Sequence, residues 1–167
     1  SLAGAELELV ELENRTMALR AALLREKENY DFILIDCPPS LGLLTVNALA
    51  ASDAILIPLQ CEYYALEGVS QLISTVRTVK RMYNDQLDIE GVLLTMYDSR
   101  LNLTVQVVDE VKKYFAGKIF RTVIPRAVRI SEAPSFGQPI MYYDRSSKGT
   151  EAYVSLAKEL VKNNPKK

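Results

Sequence analysis

Two short apolar runs, Phe32 to Ile35 and Ala54 to Leu59, and two further strand-like segments, Gly91 to Met96 and Ile119 to Ile124, are separated by longer stretches that carry apolar residues at three-to-four spacing. Apolar runs without polar alternation mark strands buried on both faces of a parallel sheet, and parallel neighbours require helical crossovers between them. The first long stretch, Ser1 to Glu28, places Leu7, Val10, Leu19, Ala22 and Leu23 at the spacing of an amphipathic helix. Tyr30 to Asp36 then predicts a strand ended by Pro38 and Pro39, and Ser40 is expected to cap a helix running to about Ala51. A strand from Ala54, a helix over Ala65 to Met82, a polar turn at Asn84-Asp85-Gln86 and the strand from Gly91 follow. Asn102 or Thr104 starts the next helix, which runs to about Phe115 and stops near Gly117. Beyond the strand from Ile119, Pro125 to Pro139 reads as a functional loop with one helical turn, and Thr150 is expected to cap a last helix ending before Pro165. The pattern predicts one α/β domain over residues 1–167, with a mostly parallel sheet and helices on both faces.

In such sheets ligands bind beyond the carboxyl ends of the strands, so the residues just after each strand carry the functional interest. At the first exit stands Ile35-Asp36-Cys37-Pro38-Pro39-Ser40. A carboxylate following a buried apolar strand is placed to hold magnesium through water, because that ion keeps most of its waters and takes few protein carboxylates. This is the logic of a Walker B aspartate; an aspartate that merely ends a strand before a helix is the structural alternative. The chain has no histidine, which removes the usual general base and zinc ligand, and Cys37 and Cys61 have no metal-ligand spacing. Both cysteines read as small buried hydrophobes beside strands.

The net charge of −1 conceals an asymmetry: residues 1–99 carry 7 basic and 15 acidic side chains (−8), and residues 100–167 carry 13 and 6 (+7). A partner with phosphates would be drawn to the second half, although solvated helix faces account for the totals equally well. The nine tyrosines, Tyr63-Tyr64 and Tyr142-Tyr143 among them, read as amphipathic packing rather than a base-stacking platform. No apolar run is long enough to span a membrane and no basic, apolar leader opens the chain, so a soluble cytoplasmic protein is expected.

The stretch from Ile35 through Ser40 to Leu49, together with Ile57 to Gly68, Gly91 to Asp98, Val123 to Arg126, Ser131 to Ser135 and Tyr143-Asp144, resembles the corresponding segments of ParA/Soj-type partitioning ATPases, in the same order. The resemblance covers nearly the whole chain. It implies a P-loop NTPase-like fold and an ATPase that binds ATP with magnesium, dimerises, binds nonspecific DNA and is stimulated by a ParB-type partner, in the cytoplasm and on the nucleoid. It further implies that Asp36 is the Walker B carboxylate, catalytic and magnesium-binding, with Pro38 and Pro39 in switch II. Met96, Pro125 and Arg126 fall where similar proteins surround the adenine, and Arg100 and Arg129 where Soj-like proteins contact DNA. Arginine suits phosphate through its forked donors.

One departure from the family pattern is large. The seven glycines stand at 4, 42, 68, 91, 117, 137 and 149, and none belongs to a G-x-x-x-x-G-K-[ST] loop. Without those backbone N–H groups and the lysine a triphosphate loses most of its cradle. The chain is therefore expected to be the carboxyl-terminal portion of such a protein, its sheet incomplete at the N-terminal side, inactive and free of bound nucleotide by itself. Two other readings stand beside this one: a non-enzymatic, degenerate ParA-like regulatory module, and a MinD-like ATPase that cycles on membranes. The latter is disfavoured by the tail Asn163-Asn164-Pro165-Lys166-Lys167, which has no apolar face for a bilayer.

Overall fold

The computed structural model describes every residue except Ser1, Pro39, Leu41, Tyr63, Tyr64, Lys166 and Lys167. The elements in chain order are α1 (Leu2–Val10), α2 (Ala18–Leu23), α3 (Leu43–Ala51), β1 (Ala54–Gln60), α4 (Ala65–Met82), β2 (Asp88–Thr95), α5 (Asn102–Tyr114), α6 (Val128–Glu132), a 3-10 turn (Ala133–Phe136), α7 (Ile140–Tyr143) and α8 (Lys148–Asn163). β1 and β2 form the sheet, joined by Asp88 N–H to the Asp53 carbonyl at one end (3.1 Å) and Cys61 N–H to the Thr95 carbonyl at the other (3.1 Å). Start pairs with start and end with end, which is the parallel register that the apolar runs predict. On the far edge of β2, residues 119–125 are held by parallel bridges at Val92–Ile119 and Tyr97–Pro125.

Two compact units divide the chain, residues 1–55 with 68–88, and residues 56–67 with 89–167. In the first, Leu72, Val76 and Val79 of α4, with Tyr83 just beyond its end, pack together with Val46 and Leu49 of α3, Ile55 and Leu87. The α4 positions recur at helical spacing, which is why this segment forms a helix that buries one face. Asn47 is buried in α3, where its amide donates to the Arg15 carbonyl (2.7 Å) and its oxygen accepts from Leu19 N–H (3.2 Å). Asn84, also buried, donates to the carbonyls of Leu49 (3.0 Å) and Ser52 (2.7 Å), and so satisfies acceptors that the end of α3 leaves open.

In the second unit, Leu56, Leu93, Phe120 and Ile124 pack against Ile130 and against Ala152, Leu156 and Leu160, a four-residue repeat along α8. Gly91 to Leu94 are buried together, as befits a strand covered on both faces. Gly91 is required by close approach: a Cβ there would stand 2.7 Å from the Phe120 ring. The Glu159 carboxylate of α8 accepts from the N–H groups of Arg121 (2.7 Å) and Thr122 (2.9 Å), two backbone donors beside the bridged segment.

Several expectations are corrected. The stretch Ser1 to Glu28 forms two helices, α1 and α2, interrupted by turns, because Glu11-Leu12-Glu13-Asn14-Arg15 breaks the apolar stripe. Tyr30 to Asp36 is no strand: residues 32–38 carry no ladder, and Tyr30, Phe32 and Leu34 are 62%, 40% and 82% exposed. An apolar run becomes a strand only when another backbone satisfies its N–H and C=O groups, and among the described residues none does so here. Ile119 to Ile124 is bridged at two points rather than laddered throughout. α3 begins after Gly42 without a side-chain cap, Ser40 instead offering its carbonyl to the Thr45 hydroxyl (2.6 Å). The final helix is capped by Ser147, whose Oγ accepts from Thr150 N–H (3.2 Å), while the Thr150 hydroxyl turns back to the Asp144 carbonyl (2.6 Å). The segment from Pro125 to Pro139 holds α6 and the 3-10 turn rather than one helical turn, with α7 directly after it.

Candidate functional site

The first unit contributes Asp36 and Pro38, both exposed in a segment without regular secondary structure, while Pro39 lies outside the described residues. Cys37, expected to be buried, is exposed; local desolvation, followed by the charge of Asp36, pushes its thiol up. Cys61, by contrast, is buried at the end of β1 as expected. Among the described residues no group of three or more Cys, Asp or Glu side chains is arranged to hold a metal ion. One exposed carboxylate fits magnesium held through water in a site completed by other groups, and does not fit a metal held by this chain alone.

The second unit holds the other sequence-predicted residues, after the carboxyl ends of β2 and the bridged segment and in α6. Met96, directly after β2, has φ 51°, and is the one non-glycine residue in the left-handed region among those described. Such a backbone persists only where its surroundings over-determine it. Here Tyr97, the next residue, is held through both backbone groups by one neighbouring segment: its N–H donates to the Ile124 carbonyl (3.0 Å) and its carbonyl accepts from Arg126 N–H (3.2 Å). Met96, Pro125 and Arg126 are thereby held on one rim of the sheet, and the Arg126 guanidinium reaches Glu62 at the exit of β1 (2.8 Å).

Arg100 folds back on Asp98, donating Nε to Oδ1 (2.9 Å), Nη2 to Oδ2 (2.6 Å) and its own N–H to Oδ1 (3.1 Å). These hydrogen bonds, with the charges of Arg100 and Arg126, bring the Asp98 carboxyl down to about 2. The Arg100 side chain is nevertheless 86% exposed. Arg129, at the start of α6, belongs to a separate cluster. Its Nη1 donates to Glu132 (3.1 Å) and to the Tyr143 hydroxyl (3.4 Å), and its Nε stands 3.7 Å from Asp144. The guanidinium carbon lies 5.9 Å from the centre of the Tyr143 ring, which stacks on Phe136 at 5.1 Å.

Sequence reasoning singled out the arginines and missed their partners. Asp98 and Glu132 lie two and three positions from Arg100 and Arg129, a local signal that could have named them. Glu62 is 64 residues from Arg126, and only the fold brings the two together.

The family model described as an AAA domain matches residues 1–89. The chain is 62% identical over 162 residues to the sporulation initiation inhibitor protein Soj of Bacillus subtilis (strain 168), covering 97% of this chain. The chain belongs to the ParA/Soj family. A second family relative, the chromosome partitioning protein ParA of Myxococcus xanthus (strain DK1622), is 58% identical over 166 residues and 99% of this chain. The chain spans 64% and 59% of these two relatives' own lengths. Among solved structures, it is similar to cobyrinic acid a,c-diamide synthase of Mycobacterium smegmatis with bound ATP analog and magnesium, at TM-score 0.78 and 35% identity, over 96% of this chain and 59% of that one. The ParA/Soj assignment agrees with the α/β architecture and its parallel sheet, shared with ParA/MinD-type P-loop ATPases. Among the described residues no helix is long and apolar enough to cross a membrane.

Proposed function

We propose that the complete protein is a partitioning ATPase for a chromosome or plasmid, and that residues 1–167 form its carboxyl-terminal α/β part. The observation that carries this reading is the 62% identity to Soj over 97% of the chain. In the complete protein ATP binds with magnesium, the ATP-bound form dimerises and binds nonspecific DNA on the nucleoid, and a ParB-type partner stimulates slow hydrolysis. Asp36 would hold magnesium through water, and Pro38 would stiffen the loop beside the phosphates. Met96, Pro125 and Arg126 form the base-side rim, supported by the clamped Tyr97 backbone. Arg100 and Arg129 offer guanidinium donors to DNA phosphates.

This chain alone has no phosphate-binding loop, so it is expected neither to retain nucleotide nor to hydrolyse it. The test is a titration with a fluorescent ATP analogue and magnesium, run on this chain and on a chain extended upstream. Binding by the longer chain only is the expected result. Equal, tight binding by the short chain would mean that Asp36 and the later strand exits form a complete site, and the assignment of the phosphates to an upstream loop would fall.

A further inference from the structure

Arg129 is more heavily engaged than an arginine awaiting a phosphate needs to be. Of its five N–H donors, those on Nε and Nη1 face Asp144, Glu132 and the Tyr143 hydroxyl, and Nη2 alone has no partner among the described residues. One positive charge sits between two negative ones, so the cluster as a whole carries −1. Tyr143 organises it: its hydroxyl donates to Glu132 (3.1 Å), its ring faces the guanidinium, and stacking on Phe136 fixes the ring. The segments Ser131 to Ser135 and Tyr143-Asp144 supply Glu132, Tyr143 and Asp144, so this cluster gives them a common physical purpose.

We propose that Glu132 and Asp144 are positioning residues that set the phosphate affinity of Arg129 by competing for its donors, with Tyr143 as the platform that holds the guanidinium between engagements. This rests on the reading that Arg129 contacts DNA phosphates. A phosphate approaching from solvent meets a single free Nη2 edge. To be gripped by the two-pronged fork it must displace Asp144 from Nε or Glu132 from Nη1. The Arg129 side chain is 59% exposed and Glu132 is 40% exposed, so the internal pairs are of the weak, exchangeable kind. Removing one carboxylate charge should therefore tighten nonspecific DNA binding by up to about fivefold, the scale of one exposed ion pair.

The experiment measures nonspecific duplex DNA affinity against salt for the full-length, ATP-bound protein. It compares the parent with Glu132→Gln, Asp144→Asn and Arg129→Ala, and with each carboxylate variant combined with Arg129→Ala. Glu132→Gln keeps an acceptor for both Tyr143 and Arg129, and Asp144→Asn provides a second route should the first variant misfold. The expected result has three parts. Both carboxylate variants bind tighter, the gain disappears when Arg129 is alanine, and Arg129→Ala flattens the salt dependence by about one unit of slope for each phosphate no longer neutralised. If Arg129→Ala weakens binding while neither carboxylate variant tightens it, the competition is overturned and the DNA reading survives. A gain that persists without Arg129 also overturns the proposal, because the carboxylates would then act on DNA directly. Unchanged affinity in Arg129→Ala overturns the DNA reading and the proposal with it.

Discussion

At the level of single residues, the turn after β2 is defined by Asp98. Its carboxylate accepts three hydrogen bonds from Arg100, two through the guanidinium and one through the backbone, which favours the charged form and brings its titration to about 2 from the ordinary 3.8. A group depressed in this way supports the fold above the ordinary carboxylate range and loses that support as the pH falls toward its own midpoint. We expect carbon-detected NMR to place the Asp98 midpoint near 2, and Arg100→Ala to move it back toward 3.8. A midpoint already near the ordinary value in the parent chain would mean that the fork is open in solution. On the proposal that Arg100 contacts DNA, closure also bears on function, since an Arg100 bent onto its own turn must release Asp98 before it can grip a phosphate with the same donors.

Individual elements show why some of the fold was legible in the sequence and some was not. α4 and α8 were readable because their apolar stripes, Leu72-Val76-Val79 and Ala152-Leu156-Leu160, are local patterns that need no partner to be recognised. Tyr30 to Asp36 has an equally clear pattern and is no strand, since pairing is a property of two segments and only one was in view. Asp36 could be nominated from its place after an apolar run, and the three arginines through the family resemblance, whereas the left-handed backbone of Met96 and the Glu62–Arg126 pair depend on contacts between distant segments. Asn84 is a similar case: its turn was legible, but its role at the end of α3 was not. Asn84→Ala removes both donors to the Leu49 and Ser52 carbonyls in a buried place and should cost about 1–3 kcal/mol. Urea unfolding compared with the parent measures this, and a loss below about 0.5 kcal/mol, the range of an ordinary surface change, would show that the carbonyls find other donors.

For the whole molecule, the exposed run at residues 30–34 outweighs any single contact. Tyr30, Phe32, Ile33 and Leu34 are all exposed, and residues 32–38 offer backbone groups outside any ladder. Apolar side chains on a backbone outside any ladder offer a segment to which another chain can pair as a strand. The chain also carries a net charge of only −1, so little long-range repulsion opposes contact between copies. We therefore expect concentration-dependent self-association of this chain, seen as a sedimentation coefficient that rises with loading concentration. Leu34→Lys, at a side chain 82% exposed, should suppress it without loss of folded structure, because no buried packing is given up and a like charge is placed on each copy. A parent chain that sediments as a monomer over a hundredfold range of concentration would show that the segment is covered in solution. Association that Leu34→Lys leaves untouched would move the contact to another surface.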